Sequence, residues 1–436
     1  MNNILTHPEV SVFWFRRDLR LEDNIGLMQA LNGDHPVIPM FIFDSEIIDS
    51  LPRNDARISF IYSCLEKINR ELNLKGSSLL VKKGNVEEVW KELISKYTIR
   101  EVYFNKDYEP YAIGRDEALA ALLKSNSIAT NSYKDQVIFE ENDILKADGK
   151  PYTVYTPYKN KWLHLFEQTP LKTIDVEEMG LENLYKFEAT FPALESIGFS
   201  KSVIEVQPYR LDSLADYHEN RDYPASNGTS SLSPHLRFGT VSIRKLVKKA
   251  KRSNEVFLSE LIWREFFMQI LFQFPEVVTN NFKRKYDGVE WRNNAADFKR
   301  WCEGNTGYPL VDAGMRELNE TGYMHNRVRM VTAGFLCKHL LIDWKLGEAY
   351  FAEKLLDYEL SSNNGNWQWA AGTGCDAAPY FRVFNPTLQL KKFDKDLEYT
   401  RKWIPEFDFG YSEPMVDHVF ARERCLRIYK EGLASN

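Results

Sequence analysis

At 436 residues the chain is too long for one compact domain, and roughly 150 residues per domain gives two or three. With 44% hydrophobic and 27% charged residues it is a globular chain, and 14% aromatic residues exclude a disordered one. A net charge of −6 excludes a protein that coats nucleic acid by charge alone. The opening MNNILTHPEV has neither a basic nor an apolar leader region. No apolar run reaches the ~18 residues of a membrane span, so a soluble, cytoplasmic protein is expected.

Short apolar runs at 11–15, 37–43, 78–84, 100–105 and 129–139 read as strands. Helix-patterned stretches lie between them, near 24–32, 55–73, 86–97 and 112–125. Such alternation predicts an α/β N-terminal domain, a Rossmann-like parallel sheet with helices on both faces. Ligands of such sheets sit beyond the carboxyl ends of the strands. Neither G-x-G-x-x-G nor a P-loop is present. From 140 to 205 the pattern is irregular and punctuated by proline, a long connection between domains. Beyond 208 the period is helical, with helices expected near 241–252, 254–274, 308–319, 324–341, 347–357 and 418–431. The second domain is therefore a larger all-α one. The boundaries are drawn at 1–132, 133–205 and 206–436. Residues 1–200 carry a net charge of −8 and residues 201–436 one of +2. Seven of the ten tryptophans fall in the second part, so the two parts differ in composition.

The five cysteines are widely spaced with no C-x-x-C pair and read as reduced thiols. The eight histidines show no metal-ligand spacing, and no nucleophile elbow exists. Glu260, Trp263, Arg264 and Phe267 share one helix face. On spacing alone that face is core with an internal Glu–Arg pair. Alternatively it is a pocket wall offering a carboxylate beside a stacking ring, which suits a nucleobase. MHNRVRM (324–330) sets Asn326 and Met330 one turn apart, and SSNNGNWQWAAGTG (361–374) reads as a polar loop carrying two tryptophans.

FWFRRDLRLEDN (13–24), GTSSLSPHLRFG (228–239), SELIWREFF (259–267), GNTGYPLVDAGMRELNETGYMHNRVRM (304–330), LLIDW (340–344), NNGNWQWAAGTGCDAAPYFRVFNP (363–386) and PMVDHVFARERCL (414–426) resemble the photolyase/cryptochrome family, in family order and across nearly the whole chain. The nearest resemblance is to class I cyclobutane pyrimidine dimer photolyases, which carry Asn and Met where Asn326 and Met330 stand. The 6-4 photolyases place histidines in this helix, and the DASH branch departs from NNGNWQW. Signalling cryptochromes often carry a long C-terminal extension, whereas this sequence ends ten residues after Leu426.

The resemblance implies FAD held in the helical domain. Tyr217, Thr229, Ser230, Ser231, Leu232, Ser233 and Arg264 would line its site, with Thr229 to Ser233 on the diphosphate. Arg329 and Asp357 would pair beside the flavin ring. Asn363 would sit near flavin N5, and Glu359 would occupy a position that is usually Asp. The implied reaction is light-driven DNA repair, in which excited reduced FAD lends an electron to a flipped-out pyrimidine dimer and regains it. Glu260 would bond the thymine edge, Trp263 and Trp369 clamp the bases, Asn326 contact the dimer and Met330 pack on it. Trp291, Trp344 and Trp367 would carry electrons to oxidised flavin. Lys283, Arg284, Arg327 and Lys391 are the favoured DNA contacts, with Lys392 and the run RKLVKKAKR (244–252) as further candidates. Folate-binding members carry an Asn-Glu pair where this chain has Tyr111 and Ala112. With Asp44 and the Tyr-Glu-Pro run, this resembles members that use a deazaflavin, another flavin or no second antenna chromophore, more than those that use a folate. The partner implied is dimer-containing DNA, met by a monomer without an obligate protein partner. The alternatives are 6-4 repair and a non-enzymatic blue-light receptor.

Overall fold

The structure, a computed structural model, describes residues 8–212, 214–226 and 228–434. Residues 1–7, most of the opening MNNILTHPEV, lie outside the described residues. The chain forms two compact units, one of residues 1–140, 166–207 and 232–249, the other of 141–165, 208–231 and 250–436. Among the described residues, no helix is long and apolar enough to cross a membrane, and no group of three or more His, Cys, Asp or Glu could hold a metal ion.

The first unit holds a five-stranded, all-parallel sheet in the order β3-β2-β1-β4-β5. Its strands are β1 (Glu9–Phe15), β2 (Val37–Asp44), β3 (Leu80–Gly84), β4 (Thr98–Asn105) and β5 (Ala129–Tyr133). The helices between them are α1 (Ile25–Leu31), α2 (Ala56–Asn73), α3 (Val86–Lys96) and α4 (Pro110–Ser125). The apolar runs are unbroken because both faces of the sheet are covered. Val10, Val12 and Trp14 of β1 pack with α3 and α4, while Phe13 and Phe15 pack with α1 and α2. β5 is shorter than the expected 129–139. Its ladder with β4 ends at Tyr133, and the chain then turns to bury Asp135.

Asp135 belongs to an ionic lattice built largely from the N-terminal signature. It accepts two hydrogen bonds from Arg20, at 2.7 and 2.8 Å, and one from Arg244 at 2.7 Å. Asp23 accepts from Arg244 Nε at 2.9 Å and from the Ser242 hydroxyl. All four charged groups are buried. Arg244, Ser242 and Lys245 lie in or beside the helix α6 (Ile243–Ser253), so the basic run expected to meet DNA is partly committed inside this unit. Arg244 is an internal ion-pair partner there, Lys245 pairs with Glu22 and Asp175, and Lys248 donates to Thr173. Within 140–205, expected to be irregular, lies a helix, α5 (Tyr155–Gln168). Tyr155, Tyr158 and Trp162 are buried on one side of it, and lysines between them mask the period.

The second unit is helical: α7 (Glu255–Gln273), α8 (Ala295–Cys302), α9 (Pro309–Thr321), α10 (Asn326–Gly334), a π-helical turn (Phe335–His339), α11 (Trp344–Lys354), α12 (Leu360–Ala371), α13 (Pro386–Phe393), α14 (Glu398–Trp403) and α15 (His418–Ala434). α11 starts three residues before the expected 347 because Asp343 caps it, its carboxylate accepting from Lys345 N at 3.1 Å.

Asp135→Ala is expected to destabilise the first unit by about 3–5 kcal/mol, since it leaves buried Arg20 without its carboxylate. A denaturant titration of the variant against the parent measures the loss, and an unchanged midpoint would deny the lattice its structural role.

Candidate active site

Two helices, α7 and α12, organise the second unit's polar interior. Asn254 caps α7, its side chain accepting from Val256 N and Phe257 N at 3.0 and 3.1 Å. One side of α7 is fixed by Glu265, a buried carboxylate that accepts from Trp162 Nε1 at 2.7 Å. The adjoining face carries Glu260, Trp263, Arg264 and Phe267. Segment 361–374, expected as a polar loop, is largely the helix α12. Asn363, Asn364 and Gln368 are buried and bond to main chain, whereas Asn366 is exposed. Asn364 and Gln368 donate to the Val277 carbonyl at 3.0 Å each, and Gln368 Oε1 accepts from Phe282 N at 2.8 Å. Gly365 lets the helices approach closely, since a Cβ there would meet the Phe267 ring at 2.2 Å.

Several predicted cofactor residues are brought together by charge. Arg264 of α7 pairs with Glu359, which precedes α12, at 3.1 Å, and both side chains are largely buried. The longer glutamate therefore reaches an arginine, and Ser362 Oγ also donates to it at 3.1 Å. Arg329 and Asp357 form a two-bond pair at 2.8 and 3.2 Å, with Arg329 Nε donating to the Met324 carbonyl at 2.8 Å. The Asn363 amide donates to Glu348 Oε1 at 2.8 Å and to its carbonyl at 3.1 Å. Burial pushes the Glu348 carboxyl up, and the Asn363 bond opposes that shift.

Tyr217 packs edge-on to Phe257, with the Arg221 guanidinium over its ring. Burial pushes its hydroxyl up to about 12. Of the expected diphosphate loop, Thr229, Ser230 and Ser231 belong to the second unit, whereas Leu232 and Ser233 cluster with the first. Ser231 has φ 53°, a left-handed conformation that serine holds only when its surroundings impose it.

Two residues expected to meet DNA, Glu260 and Arg327, are joined through Arg221 and Asp222 in a chain of alternating charge. Glu260 pairs with Arg221, whose Nε lies 3.8 Å from Asp222, and Asp222 pairs with Arg327 at 2.8 Å. Arg327 lies over the Phe393 ring at 4.3 Å and Lys392 at 5.0 Å, while Lys391 is exposed beside them at the end of α13. Trp263 stacks on Tyr155 at 3.6 Å between centroids, so one face of the expected clamp is occupied by protein. Met330 and Trp369 line one recess together with Gly334, Lys338, Arg382 and Phe384. Asn326 is exposed on the first turn of α10. The Lys283 backbone is tied to Thr373, and Arg284 is exposed and pairs with Asp287 at 2.7 Å.

Trp367 and Trp344 are buried, and Trp291 packs edge-on against Tyr429. Trp344 donates to Asn281 Oδ1 at 2.8 Å, and Trp367 lies directly on Gly347, one turn along α11 from Trp344. Trp301 lies edge-on to Trp367 at 6.1 Å between centroids.

This interior fits FAD. It offers cations and carboxylates in pairs and an amide held by a second carboxylate. Ser361 Oγ, buried at the start of α12, has no hydrogen-bond partner among the described residues. Glu348, Arg221 and Asp222 were not foreseen, because each takes its meaning from partners distant in sequence.

His325 caps α10 through Nδ1, which accepts from Arg327 N at 3.2 Å. Burial, aided by the nearby arginines, lowers its pKa to about 4. Since that lies below the usual ~6.5, its contribution to stability is complete above about pH 6.5 and is lost as pH falls toward 4. His325→Asn, which keeps a capping acceptor, is expected to flatten that share of the acid-induced fall in Tm. An unchanged pH profile would contradict the contribution of the His325 titration.

The sequence matches the DNA photolyase family over residues 11–176 and the FAD binding domain of DNA photolyase over residues 257–409. It is 34% identical to a deoxyribodipyrimidine photo-lyase of Synechococcus sp., over 96% of both chains. The fold is similar to a bacterial class III photolyase from Agrobacterium tumefaciens, with TM-score 0.85 and 33% identity over the full length of both chains. It is also similar to an archaeal photolyase from Sulfolobus tokodaii crystallised with two FAD molecules, with TM-score 0.81 and 34% identity over 97% of this chain and 99% of that one. With this similarity spanning both units and the FAD-binding region, the chain belongs to the DNA photolyase family.

Proposed function

We propose that this protein is a light-driven deoxyribodipyrimidine photo-lyase that splits cyclobutane pyrimidine dimers in DNA. The observation that carries the reading is the set of buried polar groups in the helical unit, the Arg264–Glu359 and Arg329–Asp357 pairs and the Asn363 amide held by Glu348, with Met330 and Trp369 bordering one narrow recess in the same unit. An apolar thioether and an indole suit the faces of a saturated, fused pair of bases, which no longer stacks well in a duplex and is cheaper to extrude. FAD, when bound and reduced, supplies the photoexcited electron that opens the cyclobutane ring.

The chain's own residues bind, orient and neutralise. Arg264, Glu359, Arg329 and Asp357 would hold the cofactor with mutually compensated charges. Glu348 fixes the Asn363 amide so that its oxygen is left for a donor on the flavin. Glu260 would accept from the N–H edge of the extruded base, and its Arg221 partner keeps it aimed. Trp263, backed by Tyr155, would present a fixed indole beside it. Arg327 and Lys392 around Phe393, with Lys391, Lys283 and Arg284, would bind phosphates. This gives local basic contacts on a chain whose net charge is −6. Trp367, Trp344 and Trp291 would relay electrons inward to oxidised cofactor. In the first unit Tyr111 donates to Asp44 at 2.6 Å and Ala112 is buried, so neither position offers an Asn-Glu pair. That supports a flavin-type second chromophore over a folate.

The reading predicts that photoreduced protein mixed with DNA bearing a defined dimer restores it under blue light and not in the dark. DNA bearing a 6-4 product should remain unchanged. Absence of dimer reversal with reduced FAD bound would contradict it, and reversal of the 6-4 product alone would reassign the substrate. Glu260→Ala should weaken binding of dimer DNA by about tenfold, the worth of one charge-assisted hydrogen bond, as read by fluorescence anisotropy. Trp367→Phe should abolish photoreduction of the oxidised protein while chemically reduced protein still repairs. Intact photoreduction in that variant would remove Trp367 from the relay.

A further inference from the structure

Lys338 is buried, with 2% of its surface exposed, in the π-helical turn that continues α10. Its ammonium donates to the Arg382 carbonyl at 2.9 Å, its one hydrogen bond among the described residues. Among the described residues no carboxylate pairs with it. The charged and ionisable groups acting on it are Arg382, Cys337 and Cys425, and burial pushes its pKa down. A buried cation without an anion is costly, so a fold that keeps one uses it where a neutral side chain would not serve. Met330, Gly334 and Lys338 stand four residues apart and all line the recess. The wider π turn offsets the drift that a regular α-helix would impose, which keeps Lys338 in line with Met330.

The opposite wall of the recess is the segment 374–385, which contains no helix or strand and contributes Ala378, Arg382 and Phe384. It is pinned at one end by Asp376, which accepts from Tyr155 N at 3.0 Å, and in its middle by Tyr380 stacked on Tyr429 at 5.7 Å. Beyond that point Phe381 is 60% exposed and Arg382 is exposed, and the Arg382 guanidinium lies over Phe384 at 5.7 Å. Among the described residues the Lys338 bond is a hydrogen bond that reaches this outer stretch from the Met330 wall, and Phe384 lies near Gly334 of the same wall.

We propose that Lys338 is a positioning residue: by gripping the Arg382 carbonyl it fixes the wall that faces Met330 and Trp369, and so sets how strongly lesion DNA is preferred over undamaged DNA. The inference rests on the dimer-repair reading. A pre-set wall favours a rigid fused dinucleotide that matches it, whereas DNA bound only through phosphates gains nothing from it.

The test compares the parent with Lys338→Met, which keeps the stem and removes the donor. FAD absorbance serves as the check of folding. Kd for duplexes with and without a dimer should show lesion binding weakened by about tenfold and undamaged binding unchanged. Hydrogen exchange of amides 378–384 should accelerate by a similar factor, with other segments unaffected. An unchanged lesion-to-undamaged ratio overturns the specificity role, and unchanged exchange overturns the anchoring. If Lys338→Met fails to retain FAD, Lys338→Gln, whose amide falls short of the carbonyl, should show both effects and is judged by the same outcomes. Parent protein without any preference for dimer DNA would instead remove the repair reading, and the exchange measurement still decides whether Lys338 anchors the segment.

Discussion

The close crossing of α7 and α12 is the constraint on which the candidate site depends. Gly365 lets the Phe267 ring lie against the α12 backbone, and the Arg264–Glu359 pair joins the same helices beside that contact. A side chain at 365 would drive them apart. The two elements set in register by this contact carry Glu260 and Trp263 on one side and Asn363, Trp367 and Trp369 on the other. An ion pair this buried adds little stability compared with a well-packed apolar substitute, but breaking it strands a charge. Its value lies in fixing which residues face each other.

The same economy governs the outer surface. Glu260, Arg221, Asp222 and Arg327 alternate in sign, so the two of them expected to meet DNA, Glu260 and Arg327, are compensated in the free protein. On the proposed reading, an arriving phosphate would compete for Arg221 and Arg327 and release carboxylates, which would make binding sensitive to salt through few local contacts. In the first unit the signature RRDLRLEDN works structurally, since Arg20 and Asp23 join with Asp135 and Arg244 in the buried lattice.

Much of this was legible in the sequence. The doubly covered parallel sheet follows from apolar runs spaced by amphipathic helices, and α7 from its cap and its length. The family motifs led to Arg329–Asp357 and to Met330 with Trp369. What stayed hidden depends on distant partners. α12 is rich in Asn and Gly and buries Asn363, Asn364 and Gln368, so its period cannot be read until Val277 and Phe282 supply the bonds. α5 was obscured by lysines between its buried aromatics. Arg221 is 39 residues from Glu260, and Lys338 is 44 from Arg382, so neither pairing leaves a local trace.

A double-mutant cycle on Arg264 and Glu359 tests the central claim most directly. Arg264→Met, Glu359→Gln and the double variant would be compared for unfolding free energy and for retention of FAD. The account predicts a coupling of about 1–3 kcal/mol, with FAD retained less by either single variant than additivity with the double allows. Additive effects on both would contradict the idea that this pair holds α7 and α12 in the geometry the site requires.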